Sequence, residues 1–264
     1  MSHDPETSSD PFLSLDGARN FRDAGGRAIG GGLQLRRGML FRSGQLSALT
    51  AADHAMLAPI GIRDIHDLRQ GAERERLPTR WEGALVHPAT ERDHLPVWHE
   101  ILTTGYSLDR DGATGFMRDL YSRLPFDFAP RIAMIARRMA ETGSPCVVHC
   151  SAGKDRTGVV VAVLLALAGA PFTLIETDYM LTADRANLSR DQKQAFAAGQ
   201  RARVRPISAE MHAVLLSVDR AFLASSFAAI ERTSGTFADY VRRDLGLDDS
   251  EVAAFREVML APDA

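Results

Sequence analysis

The sequence predicts an α/β protein with a central mixed sheet flanked by helices and a helical extension at its C-terminal end. An apolar run over residues 147–150 is followed by a polar loop and then by residues 159–168, which are apolar on every face. This pattern predicts a buried strand, a tight loop and a buried helix. Strand-like and helical stretches alternate along the first two thirds of the chain, whereas residues 172–261 are patterned as helix with short interruptions.

The elements before the central strand are short. A polar, glycine-rich loop over residues 14–26 leads into a hairpin. Apolar or alternating residues between turn residues mark strands at 33–35, 39–42, 62–67 and 85–87. Capping residues or helical spacing of apolar side chains mark helices at 50–58, 73–76, 113–124 and 128–142. Residues 88–111 lack a clear period and hold proline, glycine and mixed charges, so we expect a mobile surface excursion there.

Composition and charge are those of an ordinary globular chain: 264 residues, of which 45% are hydrophobic and 25% charged. The net charge of −3 gives no reason to propose nucleic acid as a partner. The longest apolar stretch, residues 159–168, is shorter than the roughly 17–25 residues of a membrane span, so no transmembrane segment is expected. We expect residues 1–12 to form a disordered leader and residues 13–264 to form a single domain.

The two cysteines, Cys146 and Cys150, bear on the cellular compartment. In an extended strand their separation is about 13 Å, too far for a disulfide unless the chain bends. We therefore expect a reduced, cytoplasmic protein, with export by a route that needs no classical signal peptide as the alternative. Cys146 is interpreted as strand core, the alternative being a redox partner for Cys150.

The loop after the central strand carries the candidate chemistry. Its backbone N–H groups and the N-terminus of the following helix bind an oxyanion and favour a thiolate at Cys150. Arg156 has a planar fork that can hold two oxygens of a phosphate at once, and Thr157 can donate its hydroxyl to the sulfur. His149 is expected to orient the loop through a ring N–H. The candidate substrate-binding residues are Ser151, Ala152, Gly153, Lys154, Thr157 and His149.

The spacing of Cys150, Arg156, Thr157 and Gly158 resembles the phosphate-binding loop of the cysteine-dependent protein tyrosine phosphatase superfamily. The longer string over residues 149–158 is similar to the bacterial tyrosine-phosphatase-like group of that superfamily. Further stretches that match this group in order and spacing are residues 20–23, 37–44, 67–69 with 73–75, and 240–246. The resemblance covers most of the chain and implies a tyrosine-phosphatase-like fold.

The resemblance also implies a phosphate monoester hydrolase, most simply a protein tyrosine phosphatase. The thiolate of Cys150 would attack phosphorus to form a phosphocysteine, which water then hydrolyses, while Arg156 and the loop amides stabilise the phosphate oxygens. No metal and no other cofactor is implied, because the arginine and the amides supply the charge stabilisation. The implied partner is a phosphorylated protein, and the loop is expected to hold phosphate or a similar oxyanion.

Two aspartates are candidates for the general acid. Asp155 lies inside the loop, and Asp67 lies at the end of a predicted strand, where the alternative is a structural carboxylate paired with Arg69 or Arg42. Lys154 would place a second cation beside the site, which suits a phosphoinositide. A dual-specificity or phosphoinositide phosphatase is therefore the alternative function, and a phosphate-binding adaptor without turnover is a further one.

Three charged residues near the N-terminus, Arg22, Asp23 and Arg42, are expected to form an ion-pair network that braces the loop from behind. Residues 178–215 are interpreted either as ordinary packed helices or, as the resemblance suggests, as a helical lid over the catalytic loop. The histidines lack paired metal-ligand spacing, so no metal site is expected.

Overall fold

The computed structural model describes residues 10–88, 100–101, 103–185 and 208–263. The strands are β1 (Arg22–Asp23), β2 (Ala28–Gly30), β3 (Leu33–Leu35), β4 (Leu40–Ser43), β5 (Asp64–Asp67), β6 (Leu85–Pro88), β7 (Cys146–His149) and β8 (Leu260–Pro262). The α-helices are α1 (Ala51–Leu57), α2 (Gly71–Arg76), α3 (Arg110–Asp127), α4 (Ala129–Thr142), α5 (Asp155–Ala168), α6 (Phe172–Met180), α7 (Thr182–Arg185), α8 (Ala209–Leu216), α9 (Arg220–Ser234), α10 (Phe237–Arg243) and α11 (Asp249–Met259).

The main sheet has five strands in the order β1-β4-β7-β5-β6, and β7 lies at its centre. β1 is antiparallel to β4, and the other neighbours are parallel, so the sheet is mixed as predicted. Parallel strands bring their carboxyl ends to one edge. There Ser43 of β4 and Asp67 of β5 both lie in register with His149 of β7. The residue that follows β7 therefore emerges between the ends of β4 and β5.

Both faces of the central strand are covered. Val147 belongs to a smaller apolar cluster with Phe41, Ile65 and Leu57 of α1. Val148 points the other way, into the larger cluster formed with the helices, because neighbouring strand residues face opposite sides. α5 is buried almost throughout, which agrees with its apolar sequence. Among the described helices none alone could span a membrane, and one bent pair, α8 with α9, meets that criterion by length and composition only.

The expected hairpin is built differently from the prediction. β3 pairs with β2 and with β8 in a separate three-stranded antiparallel sheet, whereas β4 belongs to the main sheet. The strand candidates at residues 33–35 and 39–42 are thus correct as strands but lie in different sheets. β8, which was expected to be helix, is held by the backbone of β3 and could not be found from its own pattern.

Other element boundaries also differ from the predicted ones. α3 begins at Arg110, with Asp109 as its N-cap, and continues through Pro125 to Asp127, so it is longer than predicted at both ends. Of the expected surface excursion, residues 89–99 and 102 lie outside the described part. Of the expected leader, residues 1–9 lie outside it, and Phe12 bridges to Arg22 beside β1.

The segment expected as packed helices or lid is described only at its two ends. Tyr179 of α6 is fully buried, so the start of this segment is packed helix. Residues 186–207 lie outside the described residues. α8 follows them, and the backbone at its C-terminal end contacts Lys154, in the loop between β7 and α5.

Candidate active site

The loop between β7 and α5 starts at Cys150 and turns at Gly153, whose φ of +68° lies in the left-handed region. A Cβ on Gly153 would lie 2.5 Å from the carbonyl oxygen of Ser43 and 2.6 Å from the amide nitrogen of Gly44. No side chain fits so close to backbone atoms, so glycine is required for the loop to pack on the end of β4. The chain therefore turns at Gly153, packs against the edge of the sheet and leads into α5.

The carbonyl groups of this loop are held from outside. The side-chain amide of Asn20 and the guanidinium of Arg42 donate to the carbonyl of Gly153 at 2.9 and 3.0 Å. The amide of Gln45 donates to the carbonyl of Ser151 at 3.1 Å. This bonding fixes the loop and leaves the first amides of α5, which have no partners inside their helix, for an anion.

Cys150 is a free thiol with 2% of its surface exposed, and it is electrostatically coupled to Arg156. Burial by itself would lower the pKa of the Arg156 guanidinium. The electrostatic interactions with Cys150 and Glu73 outweigh burial and raise that pKa above its ordinary value. Cys150 and Arg156, which the sequence predicted as nucleophile and phosphate-binding cation from their spacing, therefore interact electrostatically across the loop.

Arg156 uses one edge of its guanidinium for the protein and keeps another free. Nη1 and Nη2 donate to the two carboxylate oxygens of Glu73 at 2.7 and 3.1 Å, and Nη1 also donates to the carbonyl of Leu68 at 3.1 Å. The Nε–H and the remaining Nη2 proton find no acceptor among the described residues. These two donors form the side edge of the fork, which matches two oxygens of a phosphate.

Glu73 is a site residue that the sequence analysis did not identify, although it lies in one of the stretches that resemble the family. Besides Arg156, its carboxylate accepts hydrogen bonds from the hydroxyl of Ser151 and from the amide of Gln70 at 2.8 Å. Burial would raise the pKa of Glu73, but the charge of Arg156 outweighs it and lowers the pKa to about 2. Glu73 is thus held in an environment that favours its carboxylate form, and it orients the guanidinium of Arg156.

Asp67 is enclosed by hydrogen-bond donors. Arg69 donates to both of its oxygens, at 2.9 and 2.7 Å, and Thr79 donates at 3.2 Å. Burial would raise the pKa of Asp67, but the hydrogen bonds and charge of Arg69, together with His149 once it is protonated in acid, lower it to about 2. The structure therefore places Asp67 in the ion pair with Arg69 that was the alternative interpretation, an environment that favours the carboxylate.

His149 is fully buried beneath the loop. Its Nδ1 lies 3.4 Å from the carbonyl of Cys150, and its Nε2 lies 3.3 Å from the hydroxyl of Thr79. Burial lowers the pKa of His149 to about 4 despite the nearby charge of Asp67. A neutral ring that spans the end of β7 fits the expected orienting role.

Asp155 is the first residue of α5 and remains partly exposed, at 21% of its side chain. Its Oδ1 accepts a hydrogen bond of 2.7 Å from the hydroxyl of Tyr121 and lies 3.3 Å from the ammonium of Lys154. The other oxygen, Oδ2, has no hydrogen-bond partner in the described part of the chain. The Tyr121 hydroxyl and the Lys154 ammonium thus both contact Oδ1 and leave Oδ2 available.

Lys154 occupies a different place from the one expected. Its ammonium is buried and donates to the carbonyls of Leu215 and Ser217 at 2.8 and 3.0 Å, at the C-terminal end of α8. The side chain therefore ties the loop to the helical region and does not present a free cation to substrate. These hydrogen bonds from a buried ammonium to backbone carbonyls join two segments that are far apart in the chain, and no sequence pattern predicts them.

Thr157 has a fully buried hydroxyl without a hydrogen-bond partner in the described residues. Buried hydroxyls are normally bonded, so an orphan in this loop marks a position where an arriving group would be accepted. The hydrogen bond to the sulfur of Cys150 that the sequence predicted is not present among the described residues. Ser151, Ala152 and Gly153 all lie in the loop, as predicted, with Ser151 bonded to Glu73.

Behind the loop, Arg22 and Arg42 both bind Asp178 of α6, at 3.0 and 2.6 Å. Arg22 also donates to the hydroxyl of Thr182 at 3.0 Å and to the side chain of Asn20. Burial and the neighbouring Arg42 lower the pKa of Arg22 to about 10, although Asp178 opposes this. Because Arg42 and Asn20 also hold Gly153, the expected bracing network exists and has Asp178 at its centre.

Asp23 is not part of that network. Its two oxygens accept hydrogen bonds from the amides of Gly25 and Gly38 at 2.8 and 2.7 Å, so it closes the turns on either side of the small sheet. β1 points successive side chains to opposite faces, which sends Arg22 toward the loop and Asp23 away from it. Within the described residues, no group of three or more His, Cys, Asp or Glu side chains is arranged to hold a metal ion.

A model of the tyrosine phosphatase family matches residues 13–261. The chain belongs to this family. It is 33% identical to the triple specificity protein phosphatase PtpB of Mycobacterium tuberculosis, over 93% of this chain and 98% of that protein. A Cupriavidus necator protein provisionally named a tyrosine-protein phosphatase is 28% identical, over 91% of this chain and 86% of that one.

The predicted family, enzyme class and α/β architecture are confirmed: the chain is a phosphatase of the tyrosine phosphatase family and hence a hydrolase. A crystal structure of TpbA from P. aeruginosa aligns with a TM-score of 0.34 and 16% identity, over 73% of this chain and 95% of that one. That likeness is too distant to bear on the site.

Proposed function

We propose that the protein hydrolyses phosphotyrosine through a phosphocysteine at Cys150, with Asp155 as the proton donor. The observation that carries the proposal is the side edge of Arg156, held ready by Glu73 beside the buried thiol. A phosphate on that edge would have its oxygens on two N–H donors and its phosphorus toward the sulfur. The loop amides and the N-terminus of α5 would stabilise the remaining oxygen charge.

The chemistry proceeds in two balanced steps. The Cys150 thiolate forms an S–P bond while the P–O bond to the aryl group breaks, and Asp155 gives its proton to the leaving oxygen. Water then attacks phosphorus and gives its proton to Asp155, while the S–P bond breaks. The hydroxyl of Thr157 stabilises the departing thiolate. Asp155 is favoured over Asp67 because only Asp155 has a carboxylate oxygen that is not engaged.

Broader specificity is the second candidate. It is favoured by the similarity to a mycobacterial relative whose name describes a triple specificity phosphatase. The argument from Lys154 toward phosphoinositides is weakened, because that ammonium is bonded to backbone carbonyls. Comparing initial rates on phosphotyrosine peptides, phosphoserine peptides and phosphoinositides distinguishes the two candidates.

We place the enzyme in the cytoplasm, since its catalytic thiol must stay reduced to act, with export of the intact protein as the alternative. Cell fractionation with an antibody against the chain tests this. A phosphate-binding adaptor without turnover is the remaining functional alternative, and the kinetic test below addresses it.

The test measures hydrolysis of phosphotyrosine peptide by wild type, Cys150→Ser and Arg156→Ala, with Cys146→Ala as the matched cysteine control. We expect the first two variants to lose at least about 1,000-fold in kcat/KM and the control to remain active. Rapid acid quench with labelled substrate should trap a phosphoprotein in wild type only. Turnover that survives Cys150→Ser, or that requires added Mg²⁺, would contradict the proposal; binding without turnover in wild type would indicate the adaptor.

A further inference from the structure

Two buried tyrosines connect Asp155 to the helices behind the loop. The hydroxyl of Tyr121 in α3 donates to Oδ1 of Asp155 at 2.7 Å and lies 2.8 Å from the hydroxyl of Tyr179 in α6. Both side chains are completely buried, and their rings meet edge to face with centroids 6.2 Å apart. The two-step chemistry above gives these hydroxyls no role.

The hydrogen bonds form a chain with one direction. Tyr121 has a single hydroxyl proton, which it gives to Asp155, so the proton between the two tyrosines must come from Tyr179. The chain therefore starts at the hydroxyl of Tyr179 and ends on the carboxylate of Asp155. Successive bonds of this kind polarise and strengthen one another.

Both hydroxyls keep their protons at any pH at which the enzyme works. Burial, followed by the charge of Asp155, raises the pKa of Tyr121 well above its ordinary value. The same two causes raise the pKa of Tyr179. The chain thus remains a donor to Asp155 throughout the catalytic cycle.

We propose that Tyr121 is a positioning residue for the proton donor: its hydroxyl fixes Oδ1 of Asp155 as an acceptor and so places the transferable proton on Oδ2. The ammonium of Lys154 approaches the same Oδ1, at 3.3 Å, and reinforces this choice. Tyr179 acts one step further back, by orienting the hydroxyl of Tyr121. This inference rests on the proposed role of Asp155.

Several charged and titratable groups surround the carboxyl group of Asp155. Lys154 and Arg156 interact with it from its own loop and helix, and Tyr121 and Tyr179 interact with it from α3 and α6. The charge of Arg42 in β4 interacts with Tyr179, and the charge of Glu73 in α2 interacts with Arg156. Replacing Tyr121 by phenylalanine removes one oxygen and its proton while leaving every one of these charges in place.

The test is the dependence of kcat on the leaving group. With Tyr121→Phe we expect about a tenfold loss on phenyl phosphate, whose leaving group needs a proton, and less than about a twofold loss on 2,4-dinitrophenyl phosphate, which does not. KM should stay within about a factor of two. The alkaline limb of the kcat profile should move to higher pH, because the carboxylate loses a donor that favours its charged form.

Tyr240→Phe is the matched control. The Tyr240 hydroxyl is also buried and donates to a backbone carbonyl, that of Pro125, at 2.6 Å, but it makes no contact with Asp155. The control should leave the leaving-group dependence and the pH profile as in wild type, even if it lowers the melting temperature. Tyr179→Phe should change both readouts in the same direction as Tyr121→Phe, by a smaller factor.

Two outcomes for Tyr121→Phe would overturn the inference: wild-type rates on phenyl phosphate, or an equal loss on every leaving group. Asp155→Asn separates this inference from the proposed function. If Asp155→Asn shows no leaving-group dependence, Asp155 is not the acid, and both proposals fail. If Asp155→Asn shows a steep leaving-group dependence and Tyr121→Phe shows none, the assignment of Asp155 as the acid is kept and only the role of Tyr121 is rejected.

Discussion

At the scale of single residues, two edges of the Arg156 guanidinium have different surroundings. The end edge binds Glu73, and the side edge is the one that we propose binds phosphate. A cation that is already bonded in the right orientation loses less rotamer freedom when substrate arrives. The sequence predicted the cation from the spacing to Cys150, but its partner lies 83 residues away and only the fold brings it there.

The assignment of the acid belongs to this scale. Asp155→Asn should lower kcat on phenyl phosphate by about 100-fold or more and remove the alkaline limb of the pH profile. Asp67→Asn should instead destabilise the fold by about 3 kcal/mol, because Arg69 is left buried and unpaired. Rate profiles and urea denaturation of both variants check this. An Asp67→Asn enzyme that loses the alkaline limb would point to Asp67 as the acid.

Lys154 provides a second prediction about one side chain. Lys154→Met leaves the carbonyls of Leu215 and Ser217 without a donor, so we expect a loss of about 1–3 kcal/mol in unfolding free energy. The fall in kcat/KM should be similar for phosphotyrosine peptide and for phosphoinositide, since the ammonium does not face substrate. A loss larger than about tenfold on phosphoinositide alone would show that Lys154 binds the extra phosphates.

At the scale of elements, the tight loop between β7 and α5 depends on contact with the end of β4. Gly153→Ala would place a Cβ 2.5 Å from a backbone oxygen, so the loop must shift and kcat/KM should fall by at least about 100-fold. Gly38→Ala is the control, since Gly38 has a similar φ of +74° but open space around its Cβ position. It should cost about 1 kcal/mol in stability with little loss of activity. Equal activity losses in the two variants would contradict the proposed contact.

Elements also show where local patterns are overridden. The helix predicted over residues 113–124 ends before Pro125, and proline inside a helix normally breaks it. The helix continues to Asp127, and the carbonyl of Pro125 receives the hydroxyl of Tyr240 from α10. β8 similarly follows directly on α11 and takes its extended form from pairing with β3. In both segments, tertiary contacts override the secondary structure that the local sequence favours.

At the scale of the whole molecule, stability should fall with acid in two stages. The pKa of His149 is near 4 in the fold, against an ordinary 6.5, so the unfolded chain binds the extra proton and stability declines as pH falls from about 6.5 to 4. A shift of this size corresponds to at most about 3 kcal/mol. Below about pH 4, Asp67 and Glu73, each with a pKa near 2, lose their contributions as the unfolded chain takes up protons.

Urea denaturation at pH 7.5, 6, 5 and 4 measures this decline. His149→Asn should have a shallower slope between pH 6.5 and 4 than wild type, whatever its stability at pH 7.5. Buried His66, whose pKa is also lowered by burial, should retain part of the slope in that variant. Unfolding free energies in wild type that stay constant from pH 7.5 to 5 would contradict the assignment of a buried neutral His149.

The sequence by itself determined the family and the α/β class, and it predicted the roles proposed for Cys150 and Arg156, because a strand, a loop and a helix that follow one another encode their geometry in contiguous residues. Only the tertiary structure decided what surrounds them: Glu73 on Arg156, Arg69 on Asp67, Tyr121 on Asp155 and backbone carbonyls on Lys154. The contacts to Lys154 and Asp155 join residues 61 and 34 positions apart. Which buried polar groups meet across such distances depends on the packing of helices on the sheet, and periodicity and spacing do not record it.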